Sequence, residues 1–244
     1  MTLQMVDRPA FAERPLLRRP SMDDARARLR AVLEQPVDCV DDLDIAREFG
    51  IEFIPARTSL KAAPGAGPHL SLVLYGFVQH QTSSRHQKSP VSAIFTEGEW
   101  FESHRRHQRA ALTVAVVDSW VAWIPASAIE MLIETRPAAS RPILRGVTAA
   151  LVAANDAANT LALADTAARV AHLLLDLERR FGRSGAGQTF VEHHLTQSDI
   201  GNICGCSRET ANKILADFAQ RGVLAFQTKA FELYDREWLV RRAR

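Results

Sequence analysis

The stretch GCSRETANKILADFAQRGVL, residues 205–224, opens with a glycine and a helix-capping serine, Ser207. It then sets Arg208, Glu209, Asn212 and Lys213 along one side of a helix whose other positions, Ala211, Ile214, Leu215, Phe218 and Ala219, read as the inward face. Gly222 follows as a C-terminal stop. Two cations, a carboxylate and an amide within six residues suit either a solvated surface or a surface that meets base edges, and the flanking sequence has to decide.

Upstream, Thr196-Gln197-Ser198-Asp199 has the form of an acidic capping box opening a short helix through Cys204. Downstream, LAFQTKAFELYD alternates and turns in its middle, as a small hairpin would. Helix, glycine turn, helix and hairpin follow one another in the order of a winged helix-turn-helix. In that motif the first turn of the second helix enters the major groove. Arginine there donates twice to guanine, glutamate accepts from cytosine, and Asn or Lys one turn on reaches neighbouring pairs. The DNA-contacting set is therefore Arg208, Glu209, Asn212 and Lys213, with Ser207, Thr196, Gln197 and Lys229 beside them.

Further upstream, Asp165 caps DTAARVAHLLLDLERRF, whose apolar stripe is Val170, Leu173, Leu174, Leu177 and Phe181, and GRSGAGQ reads as the loop that ends it. Before it, Leu144, Val147, Leu151, Ala154, Ala158 and Leu161 recur in steps of three and four between Pro142 and Leu163, with Gly146 the only glycine. Such a seam argues for a helix packed on a partner helix, the core helix of a single chain being the alternative. This candidate dimerisation helix is placed at 141–164, and the DNA-binding domain at 165–244. Residues 51–124 change texture to short strand-like segments, FIPA, LSLVLYGFV, SAIF, LTVAVV and SWVAWI, which predict a barrel or jelly roll. A capped helix near Met22 precedes them, within a sensor region at 21–140, and residues 1–20 read as a flexible arm.

The fold class is therefore α+β: an N-terminal β-roll, a long helix and a C-terminal winged helix-turn-helix. With 244 residues, 47% hydrophobic, the chain supports a real core, and a formal net charge of +2 argues for no more than a local basic surface. Three cysteines, Cys39, Cys204 and Cys206, make neither a disulfide framework nor a zinc pattern, which suits a reducing cytoplasm. No metal site is read, and no run of eighteen apolar residues suggests a membrane span.

The segment TQSDIGNICGCSRETANKILADFAQRGVL resembles the helix-turn-helix of the CRP/FNR superfamily of bacterial transcription regulators, and the order of β-roll, long helix and capped helix is also that family's. The resemblance implies a cytoplasmic, non-enzymatic homodimer that binds double-stranded DNA at an inverted repeat near promoters, with RNA polymerase as a further partner. It also implies a base-reading trio Arg-Glu-x-x-x-Arg, of which this chain keeps Arg208 and Glu209 but has Lys213 third. Lysine is a point donor where arginine is a planar fork, so selectivity relaxes at that base.

In cyclic-nucleotide-binding relatives a Gly-Glu pair and a later Arg-Ser or Arg-Thr hold the ribose and phosphate. Here EGEWFESHRRHQRAALTVAV offers two registers. One sets Gly98-Glu99 on the Gly-Glu pair; the other, preferred because it joins LSLVLYGFV with its Gly76 without a gap, sets Glu102-Ser103 there. Arg109 then faces the phosphate, Ala110 replaces the hydroxyl after it, and Ala154-Asn155 stand on the long helix where the relative's purine contacts lie. The candidate ligand residues are Arg109, Ser103 and Asn155, and cyclic AMP is not expected as the switch. No cofactor is read; haem or another effector stays open, although His69, His80, His86, His104 and His107 show no axial pair. The rival function is a ligand-binding β-roll that signals through a protein partner. A cupin-type enzyme lacks its clustered His and Glu ligands.

Overall fold

The computed structural model describes residues 19–34, 48–60, 68–82, 91–102, 111–185 and 188–244. Helix α1 (Met22–Val32) leads into strands β1 (Gly50–Ile54), β2 (His69–Tyr75), β3 (Phe77–Thr82), β4 (Val91–Thr96), β5 (Trp100–Glu102), β6 (Ala111–Ala115) and β7 (Ser119–Pro125). Helices α2 (Ala126–Thr135), α3 (Pro137–Leu163) and α4 (Thr166–Phe181) follow. After them come β8 (Gly182–Gly185), β9 (Gln188–Glu192), α5 (Gln197–Ile203), α6 (Arg208–Gln220), β10 (Leu224–Phe226), β11 (Ala230–Leu233) and α7 (Arg236–Ala243).

The N-terminal strands form two antiparallel sheets, one ordered β1-β7-β2-β5 and the other β4-β3-β6. Strand β2 reads LSLVLY, apolar almost throughout, because both faces of its sheet are covered. Leu72 and Leu74 point outward into a cluster with Leu29 of α1, Leu33 just past its end, Leu132 of α2 and Ile143 of α3. Val73, between them, points inward with Ile54, Val78, Phe101, Ala115 and Val121 to fill the space between the sheets. The second sheet turns its outer side to the C-terminal domain, where Phe77, Val91 and Ile94 join one apolar cluster with Leu174, Leu177, Ile200 and Phe218.

Caps predicted from the sequence are present. Ser21 makes a capping box with Asp24, and Asp165 accepts from the Ala168 amide at the head of α4. The arm read at 1–20 lies mostly outside the described residues, but its end is anchored: Arg19 pairs with Asp118, and the Pro20 carbonyl accepts from Trp120 Nε1 at 2.9 Å.

Several expectations are corrected. Helix α3 starts at Pro137 rather than at 141; Pro142 inside it removes a single backbone donor, and the helix runs through it. GRSGAGQ is not simply a loop, since Gly182–Gly185 pairs with β9 as an edge strand despite being exposed throughout. Helices α2 and α7 were not read from the sequence at all. Ala219, expected to face inward, is exposed.

Candidate nucleic-acid interface

The C-terminal domain packs α4, α5, α6 and α7 beside a sheet ordered β10-β11-β9-β8. Helix α5 starts at a full capping box: Asp199 N donates to Thr196 Oγ1 at 3.2 Å, and Thr196 N donates to Asp199 Oδ2 at 2.8 Å. The turn after it depends on Gly205, whose φ of 62° is the left-handed conformation that costs glycine nothing. Cys206 N then returns to the Gly201 carbonyl at 2.8 Å. Ser207 Oγ accepts from Thr210 N at 3.1 Å and opens α6. Buried Ala211, Leu215 and Phe218 fix the rotation of α6 about its axis. That rotation leaves Arg208, Glu209 and Lys213 exposed on the opposite side.

Asn212 is half-buried, and its Oδ1 is shielded without a hydrogen-bond partner. The exposed part of the predicted set is therefore Arg208, Glu209, Lys213, Ser207, Thr196 and Lys229, with Gln197 half-exposed. The Glu209 carboxyl sits below the usual carboxylate range because its own backbone N–H and then the Ser207 hydroxyl donate to it. It is an acceptor at neutral pH. Lys229 sits at the turn between β10 and β11, and its carbonyl accepts from His193 N and His194 N at 2.9 and 3.1 Å.

Arg169, which the sequence did not single out, braces the motif from behind. From α4 its Nε reaches the Cys204 carbonyl in the helix-turn-helix turn at 2.7 Å. Its terminal nitrogens reach the Ala164 carbonyl, at the junction of α3 and α4, at 2.9 Å and Thr166 Oγ1 at 3.1 Å. Only three-dimensional proximity brings residues 169 and 204 together.

Burial pushes the Cys204 thiol up to about 12, and burial also raises that of Cys206. Thiols so poised stay protonated and are poor nucleophiles. His193 is fully buried between Phe226 and Phe231, with Nδ1 accepting from Leu195 N at 3.1 Å. Burial, and then the neighbouring His194, depress its pKa to about 4.

Of the sensor histidines, His69 lies edge-on to Trp123, and His80 lies between Phe95 and Phe101 with Nε2 unpartnered. His86, His104 and His107 lie outside the described residues, as do Ser103, Arg109 and Ala110. Asn155 is exposed on α3. The predicted seam is exposed too, with Leu144 at 67% and Leu151 at 60% and Val147, Ala154, Ala158 and Leu161 open on the same helix. Among the described residues no helix is long and apolar enough to cross a membrane.

Residues 168–242 match the family model of the Crp-like helix-turn-helix domain. The chain is 42% identical over 117 residues to a CRP-like cAMP-activated global transcriptional regulator of Mycobacterium tuberculosis. That match takes in 48% of this chain and 52% of the relative, so the chain spans about half that relative's length. Among solved structures, a CooA mutant from Carboxydothermus hydrogenoformans aligns with a TM-score of 0.66 at 21% identity, over 81% of this chain and 89% of that one. FixK2 from Bradyrhizobium japonicum aligns with a TM-score of 0.66 at 21% identity, over 80% and 98%. These structural likenesses carry the fold.

Proposed function

For a chain whose C-terminal domain belongs to the Crp-like helix-turn-helix family, on the fold of the CRP/FNR superfamily, we propose a sequence-specific transcription regulator that acts as a homodimer on inverted-repeat DNA. The observation that carries this reading is the open edge of α6, where Arg208, Glu209 and Lys213 stand exposed over the first two turns of a helix anchored by Ser207. That placement suits entry into a major groove. Exposed Leu144, Val147 and Leu151 on α3 support the dimer, since a single chain leaves a long apolar stripe in water. The protein is a cytoplasmic DNA-binding regulator rather than an enzyme, and RNA polymerase is its further partner at promoters.

The switch is not cyclic AMP, although the Mycobacterium relative is a cAMP-activated regulator. Glu99, which one register would assign to the ribose, is engaged by Arg180 and by Thr96 N. On α3, Ala154 supplies no polar group where a purine contact is needed. Each unmatched buried polar group of a ligand costs about 1–3 kcal/mol. A gel shift against a library of inverted repeats, with and without cyclic AMP, tests both statements. Selection of a palindromic site in the absence of nucleotide is the expected result. Failure to enrich any palindrome overturns the regulator, and a strict cyclic AMP requirement overturns the second statement.

A further inference from the structure

The turn between β4 and β5 touches three parts of the molecule through three consecutive residues. Gly98, at a φ of 85°, pins the turn to β2, with its N–H donating to the Val73 carbonyl at 2.8 Å. Glu99 turns back to accept from Thr96 N at 2.9 Å and pairs with the Arg180 guanidinium of α4. Arg180 holds its other side on Asp176 at 2.6 Å and reaches Thr96 Oγ1 at 3.3 Å. Trp100 lies against α3 at Gly146, and Phe101 stacks on Phe95 inside the roll, edge-on to His80.

Among the described residues, apolar contacts also join the roll to the C-terminal domain: Phe77 meets Phe181 with ring centroids 5.3 Å apart, and Val91 and Ile94 lie in one cluster with Leu174 and Ile200. Apolar contact is non-directional and allows one surface to slide on another. A bidentate or forked charge contact fixes an angle. The Arg180 side chain is only 10% exposed and its two carboxylate partners about a third, so the contact is shielded from screening by salt.

We propose that Glu99 and Arg180 form a latch that sets the orientation of the helix-turn-helix on its β-roll. Through it a rearrangement around Phe101 and His80 reaches the recognition helix by way of Glu99 and the long helix by way of Trp100. The latched arrangement is the DNA-ready one, because in it Arg208, Glu209 and Lys213 stand exposed to solvent. This inference rests on the regulator reading above in its consequence for DNA, but not in its consequence for the domain junction.

The test uses the full chain as wild type, Glu99→Gln, Arg180→Met and the double variant. Hydrogen exchange without DNA is expected to rise in residues 94–99 and 166–181 in each single variant, and to rise no further in the double. Operator affinity is expected to fall roughly tenfold in either single variant, with the double no worse, as residues acting as one unit are non-additive. Glu99→Gln keeps an acceptor for Thr96 N and carries the test if Arg180→Met fails to fold. Unchanged exchange at the junction, or losses that simply add in the double, overturns the latch. Wild-type chain that enriches no palindrome sinks the regulator reading instead, and the exchange experiment still decides the latch.

Discussion

Gly146 of α3 lies directly beneath the indole of Trp100, so close that a β-carbon at position 146 would stand 2.1 Å from Trp100 Cδ1 and Nε1. Trp100 is 3% exposed, and its ring has little room to retreat. The one glycine within the apolar repeat of this helix is therefore a docking seat for the β-roll.

Gly146→Ala is expected to destabilise the protein by roughly 1–2 kcal/mol. A clash at 2.1 Å puts the overpacking cost in the upper part of its usual range, about 2–3 kcal/mol, and the better helix propensity of alanine returns about 1. Urea unfolding monitored by tryptophan fluorescence measures it. A variant as stable as wild type would mean that the indole has space the geometry does not show.

Leu151→Glu is expected to give monomers with no operator affinity. Leu151 is 60% exposed at the middle of the α3 stripe, and two carboxylates facing one another across a two-fold axis repel. Light scattering of the free proteins, followed by a gel shift, checks both parts. The wild-type half-sites should lie about 34–36 Å apart, one helical turn.

Arg208→Ala is expected to cost about 1–3 kcal/mol on the cognate site and little on random DNA, because a forked contact to guanine carries information that a phosphate contact does not. Lys213→Arg should sharpen the preference for guanine at its base. Equal losses for Arg208→Ala on both kinds of DNA would place that side chain on the backbone.

Stability is expected to fall as the pH drops from about 6.5 to about 4. His193 is neutral in the fold, with its pKa depressed to about 4, while in the unfolded chain it takes up a proton near 6.5. The unfolded state therefore binds more protons through this window, and stability rises with pH across it. His80, likewise depressed to about 4 by burial, adds to the slope. His193→Asn, which keeps an acceptor for Leu195 N, should remove on the order of 2–3 kcal/mol of this pH dependence while lowering stability at pH 7. Denaturant titrations at pH 7 and 4.5 compare the two chains, and an unchanged slope would refute the assignment.

Arg169→Met is expected to lower the unfolding free energy by about 1–3 kcal/mol, since the Cys204 and Ala164 carbonyls each lose a charged donor. Thermal unfolding reports the loss. No change in Tm would mean that water replaces the guanidinium at both carbonyls.

Much of the candidate interface was legible because its determinants are local. Ser207 and Thr210, or Thr196 and Asp199, are three residues apart, and capping geometry is decided within one turn. The spacing of Ala211, Leu215 and Phe218 likewise dictates which side of α6 is left outward. The inward placement of the Asn212 amide oxygen was not legible, because which neighbours shield it depends on packing around α6 rather than on helical period.

From the sequence alone came the order of β-roll, long helix and winged helix-turn-helix, the caps and the identity of the exposed edge of α6, since each depends on residues within a turn or on a periodicity of two or 3.6. Tertiary structure alone decided that Gly182–Gly185 is a strand, because four exposed residues with no apolar pattern become β only when β9 supplies the hydrogen-bond partners. It alone set Arg180 on Glu99 across 81 positions and Trp100 on Gly146. Those pairings follow from how two sheets, a long helix and the C-terminal domain exclude water from one another. Burial of that kind is non-directional and leaves no periodic trace in the chain.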